Sequence, residues 1–456
     1  MKAACIGSGY VGSVTGAALA ALGHPTTIID IDPKRVAMIN AGKSPLYEPG
    51  LERLIREFAR KRVLSASTSY GAVAEADVVF IAVGTPSLPD GTADLSYVKA
   101  ASGQIGRHLD PTRFTVVVTK STVPVGTADL VASLIEQASG LRAREHFAVV
   151  SNPEFLREGY ALEDVFLPDR IVIGADQPEA FGRMRELYGS LLDRSSYDQL
   201  SGLFPFPYLP GSPGAVYFET DPKSAELIKY VSNAFLSVKI SYINEVARLC
   251  ETLGANVLDV AKGMGLDSRI GGKFLEVSSG WSGSCFPKDT SELLSVSQKY
   301  GSELTLVKAA VHSNEAMLHY CVQKVQSRLK TLNGKSVGIL GLTFKPNTDD
   351  ARHTQASTII RKLTDLGASV SAHDPKGMEM FVRLNPELPV TYCSNPEDVA
   401  TRADAVILLT HWSEYGELNW RQMGETMRHP YVLDTRNFLL RLPFRQWGVV
   451  YEGIGI

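Results

Sequence analysis

Short apolar runs alternate with helix-like stretches over the first part of the chain. Residues 3–6, 26–30, 78–83, 115–119 and 148–150 read as strands, and the segments between them carry the wider spacing of amphipathic helices. Such alternation predicts βαβ units and a parallel sheet. The pattern breaks over residues 195–216, where Pro, Gly, Ser and aromatic residues are too dense for a helix or a central strand. From residue 223 to about 254, Leu227, Ile228, Val231, Phe235, Val238, Ile243, Val246 and Leu249 pave the stripe of one long helix, and more helices are expected from 287 through 326. After Gly334 the alternation resumes, with strands at 336–340, 369–373, 405–410 and 431–433 and a helix at 355–366. No short-period repeat is present, although the two ends suggest a shared architecture.

At roughly 150 residues per domain, 456 residues leave room for about three domains. The expected fold class is α/β: two Rossmann-like doubly wound domains, residues 1–200 and 331–456, joined by a central helical region, 201–330, with one long helix.

Composition changes this picture little. Apolar residues make up 44% and charged residues 21%, which suits compact globular domains rather than disorder. Basic and acidic residues number 46 and 49, a net charge of −3, and the densest basic run, 53–62, alternates with acids and apolars like a solvated helix face. Nucleic acid is therefore not an expected partner. No Asp, Glu, Lys or Arg occurs from Ala3 to Ile29, as in a membrane helix, but Gly7, Gly9, Gly12, Gly16, Gly23 and Pro25 break the run and one basic residue precedes it. No membrane segment is expected. Five cysteines cannot all pair, and no two have zinc-ligand spacing, so the expectation is a reducing cytoplasm and no metal site.

Two segments carry chemistry. The run from Ala3 to Gly12 is a strand leading into Gly7-Ser-Gly9-Tyr10-Val11-Gly12 and then a helix. Its glycines permit a tight turn and close approach of a pyrophosphate to the helix N-terminus. Asp30 ends the next strand, where a carboxylate accepts ribose hydroxyls and repels a 2′-phosphate, favouring NAD over NADP. The second segment is Gly283-Ser-Cys285-Phe-Pro-Lys288-Asp289. Pro287 suits a first helical turn, so Cys285 stands at a helix N-terminus with Lys288 nearby, and both favour thiolate. A cysteine is ordinarily a small buried hydrophobe, which is the reading for Cys5, Cys250, Cys321 and Cys393. The glycine- and serine-rich approach sets Cys285 apart as a nucleophile. Glu154 and Glu158 would share a face if a helical turn began at Pro153, and Lys229 and Asn233 share a face of the long helix. By themselves both pairs read more readily as ordinary surface or helix residues than as site residues.

Together these residues resemble the UDP-glucose/GDP-mannose dehydrogenase family. The resemblance covers nearly the whole chain through GSGYVG, GTP at 84–86, KSTVPVGT at 120–127, NPEFLREG at 152–159, SAELIKYVSNAF at 224–235, GSCFPKD and GLTFKPNTDDAR at 341–352. It implies an NAD-binding N-terminal domain, a central helical dimer core and a C-terminal domain for the nucleotide sugar. It also implies a reaction, the NAD-dependent double oxidation of UDP-glucose to UDP-glucuronate through a thiohemiacetal and a thioester on Cys285. GDP-mannose or a UDP-N-acetylhexosamine is the alternative substrate. By the same resemblance Lys229 and Asn233 stabilise oxyanion charge and Glu154 is the base for thioester hydrolysis, with Asp289 and Thr122 as partners in a water or proton relay.

For NAD the resemblance points to the glycine turn, Gly7, Gly9, Tyr10, Val11 and Gly12, with Asp30 and Arg35. Further along it points to Thr85, Pro86, Ser121, Thr122, Glu158, Lys288 and Arg352. For the sugar nucleotide it points to Glu154, Phe155, Leu156, Arg157, Glu158, Lys229 and Asn233. Phe274, Leu275, Glu276, Val277, Ser278, Ser282 and Lys345 follow, with Arg269 and Arg436 as phosphate or partner-subunit contacts. Ser278, Ser282 and Thr435 stand where the family tends to have glycine, each adding a side chain near a close approach. The 195–216 stretch is longer than the family pattern, and its exposed-looking Phe204, Phe206 and Tyr208 suggest a surface flap or a subunit contact.

Overall fold

The computed structural model describes residues 1–211 and 213–456; Ser212, within the expected excursion, lies outside the described residues. The chain divides into two units, Met1–Val231 and Ser232–Ile456, with the boundary inside the long helix Pro222–Leu253.

The first unit holds an eight-stranded sheet. Its strands are β1 (Ala3–Ile6), β2 (Thr26–Ile29), β3 (Leu64–Ser67), β4 (Val78–Ile81), β5 (Thr115–Thr119), β6 (Phe147–Ser151), β7 (Arg170–Gly174) and β8 (Val216–Thr220), in spatial order β3-β2-β1-β4-β5-β6-β7-β8. Pairing is parallel except between β6 and β7. β4 and β5 are buried along their whole length, as strands covered by helices on both faces must be.

The second unit has a six-stranded parallel sheet of β9 (Ser336–Leu340), β10 (Ser369–His373), β11 (Val390–Tyr392), β12 (Ala405–Leu408), β13 (Tyr431–Asp434) and β14 (Val450–Glu452), in order β11-β10-β9-β12-β13-β14. The first six strands of either sheet thus follow one doubly wound order, whose switch point lies between the first and fourth strands. Ile243, Ala247 and Cys250 of the long helix share a core with Met317, Cys321 and Val325 of the helix Thr305–Leu329 and with Val337 and Ile339 of β9.

The shared order extends to the turn after the first strand. Gly7 has φ +100° and its N–H bonds Ile29 O; Gly341 has φ +99° and its N–H bonds His373 O. A Cβ on Gly7 would lie 2.7 Å from Ala82 O, and one on Gly341 2.5 Å from Thr410 N, so both turns require glycine. An aspartate at the end of the second strand closes each turn. Asp30 accepts the Ser8 N–H and hydroxyl and the Asp32 N–H. Asp374 accepts the Leu342 and Thr343 N–H groups, the Thr343 hydroxyl, the Trp412 indole and the Lys376 and Gly377 N–H groups.

The aromatic residues of the 195–216 excursion are not exposed, which corrects the flap expectation. Phe204 is buried and stacks on Phe206 with centroids 4.8 Å apart, and Tyr197 packs edge-on against Phe166 and Tyr208. The prolines turn these rings inward onto the first unit's core; among the stretch's described large apolar residues Leu209, 74% exposed, and Val216, 63% exposed, face solvent.

Asp374 is fully buried, so Asp374→Ala would leave several backbone donors without an acceptor. The expected loss is about 3 kcal/mol of unfolding free energy. Urea denaturation checks it, and a loss below about 1 kcal/mol would refute the assigned role.

Candidate functional site

In the first unit the glycine turn opens onto the N-terminus of the helix Tyr10–Ala21, whose N-cap is Gly9. A Cβ on Gly12 would meet Gly7 O at 2.0 Å, whereas one on Gly9 would meet nothing within 4 Å. The helix therefore sits hard against the strand, with open space beside its first N–H groups, where a pyrophosphate fits. Half-buried Asp30 has its carboxyl held below the usual range. Burial works to raise it, but the Ser8 hydroxyl and the N–H groups of Asp32 and Ser8 outweigh that cost. An ionised acceptor at this position fits the ribose of NAD. Exposed Arg35 leans on Asp32 at 3.8 Å.

Around the same sheet edge Thr85 Oγ1 donates to Thr122 O at 2.8 Å and Ser121 Oγ to Val83 O at 2.7 Å, while Pro86 is exposed. The Gly159 N–H, beside half-buried Glu158, is shared between the Tyr10 hydroxyl and Glu48. Glu48 was not legible as a site residue in the sequence; its carboxylate also takes the Ala161 N–H and so fixes the end of the NPEFLREG segment.

That segment is not a helical turn, which corrects the shared-face expectation for Glu154 and Glu158. Residues 152–157 are irregular, because Glu154 Oε2 accepts the Leu156 N–H at 2.5 Å and Arg157 is drawn to Asp164 at 2.6 Å. Glu154 instead meets Lys229, Nζ to Oε1 at 3.0 Å, with side-chain exposures of 8% and 4%. Burial opposes ionisation of Glu154, but the Lys229 ammonium, the Leu156 N–H and Lys120 together hold its carboxyl below the usual range. Phe155 packs its ring under Arg170 and near Lys229. Glu226, one turn before Lys229, accepts the N–H groups of Gly126 and Ala128 at the start of the helix Thr127–Ser139 and the Ser151 hydroxyl.

In the second unit exposed Cys285 is the N-cap of the helix Phe286–Lys299, with Pro287 in its first turn, as the sequence predicts. Cys5, Cys250 and Cys321 are buried and Cys393 is half-buried. Lys288 pairs with Asp289 at 2.8 Å, and Asp289 also accepts from Asn233 Nδ2 at 2.6 Å, so the buried aspartate gathers two site residues. The approach to Cys285 is rigid. Gly283 has φ +86° and packs on the Phe344 ring, Trp281 exchanges backbone hydrogen bonds with the Asn314 amide, and the Trp281 indole donates to Ser241.

Leu275, Val277 and Ser278 are buried, while Phe274, at φ +65°, and exposed Glu276 are not. The three departures from glycine turn inward: Ser278 Oγ bonds Gly280 O, Ser282 Oγ bonds Gln355 at 2.6 Å and Thr435 Oγ1 bonds Leu408 O at 2.8 Å. At the carboxyl ends of β9, β12 and β13, Arg436 donates to Leu409 O and Phe344 O, beside Lys345 on the Phe344 ring. Burial pulls the Arg436 guanidinium down to about 10, with Asp434 opposing. Arg352 is held by Asp350 and exposed Arg269 by Asp267. Among the described residues no cluster could hold a metal ion, and no helix is long and apolar enough to cross a membrane.

Glycine turn, helix terminus and an ionised carboxylate at the end of β2, on a doubly wound sheet, suit a dinucleotide, as in an NAD-dependent oxidoreductase. Residues 1–192 match the NAD binding domain of the UDP-glucose/GDP-mannose dehydrogenase family, 223–316 its central domain and 338–441 its UDP binding domain. The chain belongs to that family. It is 43% identical to the UDP-glucose 6-dehydrogenase of Rhizobium meliloti (strain 1021), over 100% of this chain and 99% of the relative. A solved UDP-glucose dehydrogenase from the hyperthermophilic archaeon Pyrobaculum islandicum superposes with a TM-score of 0.86 at 39% identity, covering 100% of this chain and 97% of that one. The UDP-D-ManNAc dehydrogenase of Pyrococcus horikoshii superposes with a TM-score of 0.83 at 25% identity, covering 100% and 99%.

Cys285 combines exposure with a helix N-terminus, so it is expected to be the first thiol alkylated near neutral pH. Brief iodoacetamide treatment followed by peptide mass mapping checks this; earlier labelling of Cys393 would contradict it.

Proposed function

We propose that the chain oxidises UDP-glucose to UDP-glucuronate, consuming two NAD+ and one water. The observation that carries the reading is Cys285 at its exposed helix N-terminus, in a chain 43% identical to a relative that bears the name UDP-glucose 6-dehydrogenase. NAD, when bound, supplies the hydride acceptor for each oxidation. The chain's residues do the rest. The first oxidation removes hydride from C6 and the proton from its hydroxyl, giving an aldehyde. The Cys285 thiolate adds to it, forming a C–S bond, and the new oxyanion takes up a proton to give a thiohemiacetal. The second oxidation removes the remaining hydride from C6 and the hydroxyl proton, leaving a thioester, whose C–S bond water cleaves to give the carboxylate and return the thiolate. Glu154, held ionised by Lys229, takes the proton of that water, and Lys229 and Asn233 donate to the oxygen on which charge develops. Asp289 orients Asn233 and Lys288, with Thr122 in the relay of protons.

The carboxyl ends of the second sheet, with Arg436 and Lys345, suit the diphosphate, and the turn at Gly7–Gly12 with Asp30 suits NAD. The three matched family segments support a division into an NAD-binding domain over 1–200, a central helical region over 201–330 and a sugar-nucleotide domain over 331–456. A homodimer is supported by an apolar stripe on the long helix, where Leu227, Val231, Phe235, Tyr242, Leu249 and Leu253 are all exposed. A cytoplasmic setting accords with five cysteine thiols. GDP-mannose or a UDP-N-acetylhexosamine would use the same residues, and a panel of nucleotide sugars separates the readings.

Wild-type protein is expected to form two NADH per UDP-glucose, and Cys285→Ala to lose acid formation by at least about 1,000-fold. Product chromatography with NADH absorbance decides it; one NADH per sugar, or an active alanine variant, would overturn the covalent route. Phe235→Glu should halve the mass seen by light scattering at micromolar protein, and an unchanged mass would remove the stripe as the dimer contact.

A further inference from the structure

Lys120 opens the KSTVPVGT motif directly after β5 and is half-buried, yet no role has fallen to it. Its Nζ donates to Asn152 Oδ1 at 3.1 Å. Asn152 follows β6, the strand paired with β5, and is fixed from two other sides: its Nδ2 bonds Val172 O of β7 at 2.8 Å, and its Oδ1 also accepts the Tyr188 hydroxyl at 2.5 Å. Two residues further on stands Glu154, paired with Lys229. The lysine therefore grips the start of the turn whose carboxylate meets the long helix.

The three charges act on one another. Loss of hydration brings the Lys120 ammonium down to about 8, Lys229 adding to the effect and Glu154 opposing it. Among the described residues, other titratable or charged groups beside the cluster are the Cys5 thiol, pushed up by burial to about 12, the Tyr188 phenol, pushed up in the same way, the Glu226 carboxylate, which accepts the Ser151 hydroxyl, and Arg170, which shares the Phe155 ring with Lys229. The thiol and the phenol are uncharged near neutral pH, and the charges acting directly on Glu154 are the two ammonium groups. With Lys229 as sole counter-charge, Glu154 would hold that ammonium to itself. A second cation divides the attraction.

We propose that Lys120 is a positioning residue for the Glu154–Lys229 pair: through Asn152 it fixes the turn that carries Glu154, and its charge offsets the carboxylate so that Lys229 can turn to the substrate oxygen. The inference rests on the roles given above to Glu154 and Lys229. Neither a carboxylate nor an ammonium keeps its proton affinity when a neighbouring cation is removed; both hold protons more tightly. Loss of the Lys120 charge therefore moves both limbs of the rate profile to higher pH.

The test uses full-length wild type, Lys120→Met and Lys120→Arg, with UDP-glucose and NAD, from about pH 6 to about pH 10. The methionine variant is expected to lose about 10-fold or more in kcat at neutral pH with both KM values within about 3-fold, and to shift both limbs upward; arginine restores most of the loss. In parallel, NMR of ligand-free protein labelled with lysine-ε-13C should show a resonance titrating well below the bulk lysines and missing from Lys120→Met. An unshifted rate profile, an arginine variant no better than methionine, or a Lys120 resonance titrating with the bulk would each overturn the proposal. If Lys120→Met does not fold, Lys120→Arg decides, since retained charge must keep kcat within about 3-fold. A wild type that forms no NADH from UDP-glucose defeats the substrate reading alone; the NMR arm then still decides the place of Lys120 in the cluster.

Discussion

The register of the long helix is the constraint on which the proposed chemistry depends, and buried polar contacts set it. Glu226, Lys229 and Asn233 stand at i, i+3 and i+7 on a mostly apolar helix, all below 8% exposed. Each reaches a different element: the start of the helix Thr127–Ser139, the turn after β6, and Asp289. Rotating or sliding the helix by one residue would strand all three in low dielectric, and removing one partner of a buried pair costs about 3–5 kcal/mol. Apolar packing alone would permit neighbouring registers. The polar triplet permits one, which aims Lys229 at Glu154.

The alternating architecture was readable because its central strands are buried on both faces and therefore appear as unbroken apolar runs, as in Val78–Ile81 and Thr115–Thr119. Strands β3, β8, β11 and β14 escaped notice: they lie at or near sheet edges, and LSAS or VYFET, with exposed positions, gives little periodic signal. β7, an apolar RIVIG, was also passed over. Its pairing is antiparallel to β6, so it falls outside the repeating βαβ rhythm.

The candidate site was legible where one residue carries the proposed chemistry and less so where residues hold others. Cys285 stood out through the glycines and proline around it, and its helix-terminal position follows from them. The pairing of Glu154 with Lys229 joins positions 75 apart in sequence, and local spacing placed Glu154 on a shared face with Glu158 instead. Ser8, Glu48, Asn152 and Glu226 act through backbone N–H groups or fixed amides, which leave no spacing rule to read. Ser278, Ser282 and Thr435 looked like intrusions beside a ligand, yet each hydroxyl finds a backbone or side-chain partner within its own unit.

The twin turns after β1 and β9 bear on how one nucleotide fold can be given two different first turns. A carboxylate has about four lone-pair directions. Half-buried Asp30 uses three for Ser8 and Asp32, which leaves an opening toward solvent; Asp374 is wholly enclosed and takes six donors, so none remains. The second half thus keeps the first glycine, the strand order and the acid of a dinucleotide fold, while that acid has no lone pair left to offer a ligand. Thr343, which stands where the first half has Gly9, and Trp412 fill the acceptor's remaining directions. An engineer wishing to free that acid for a ligand would have to take side chains away.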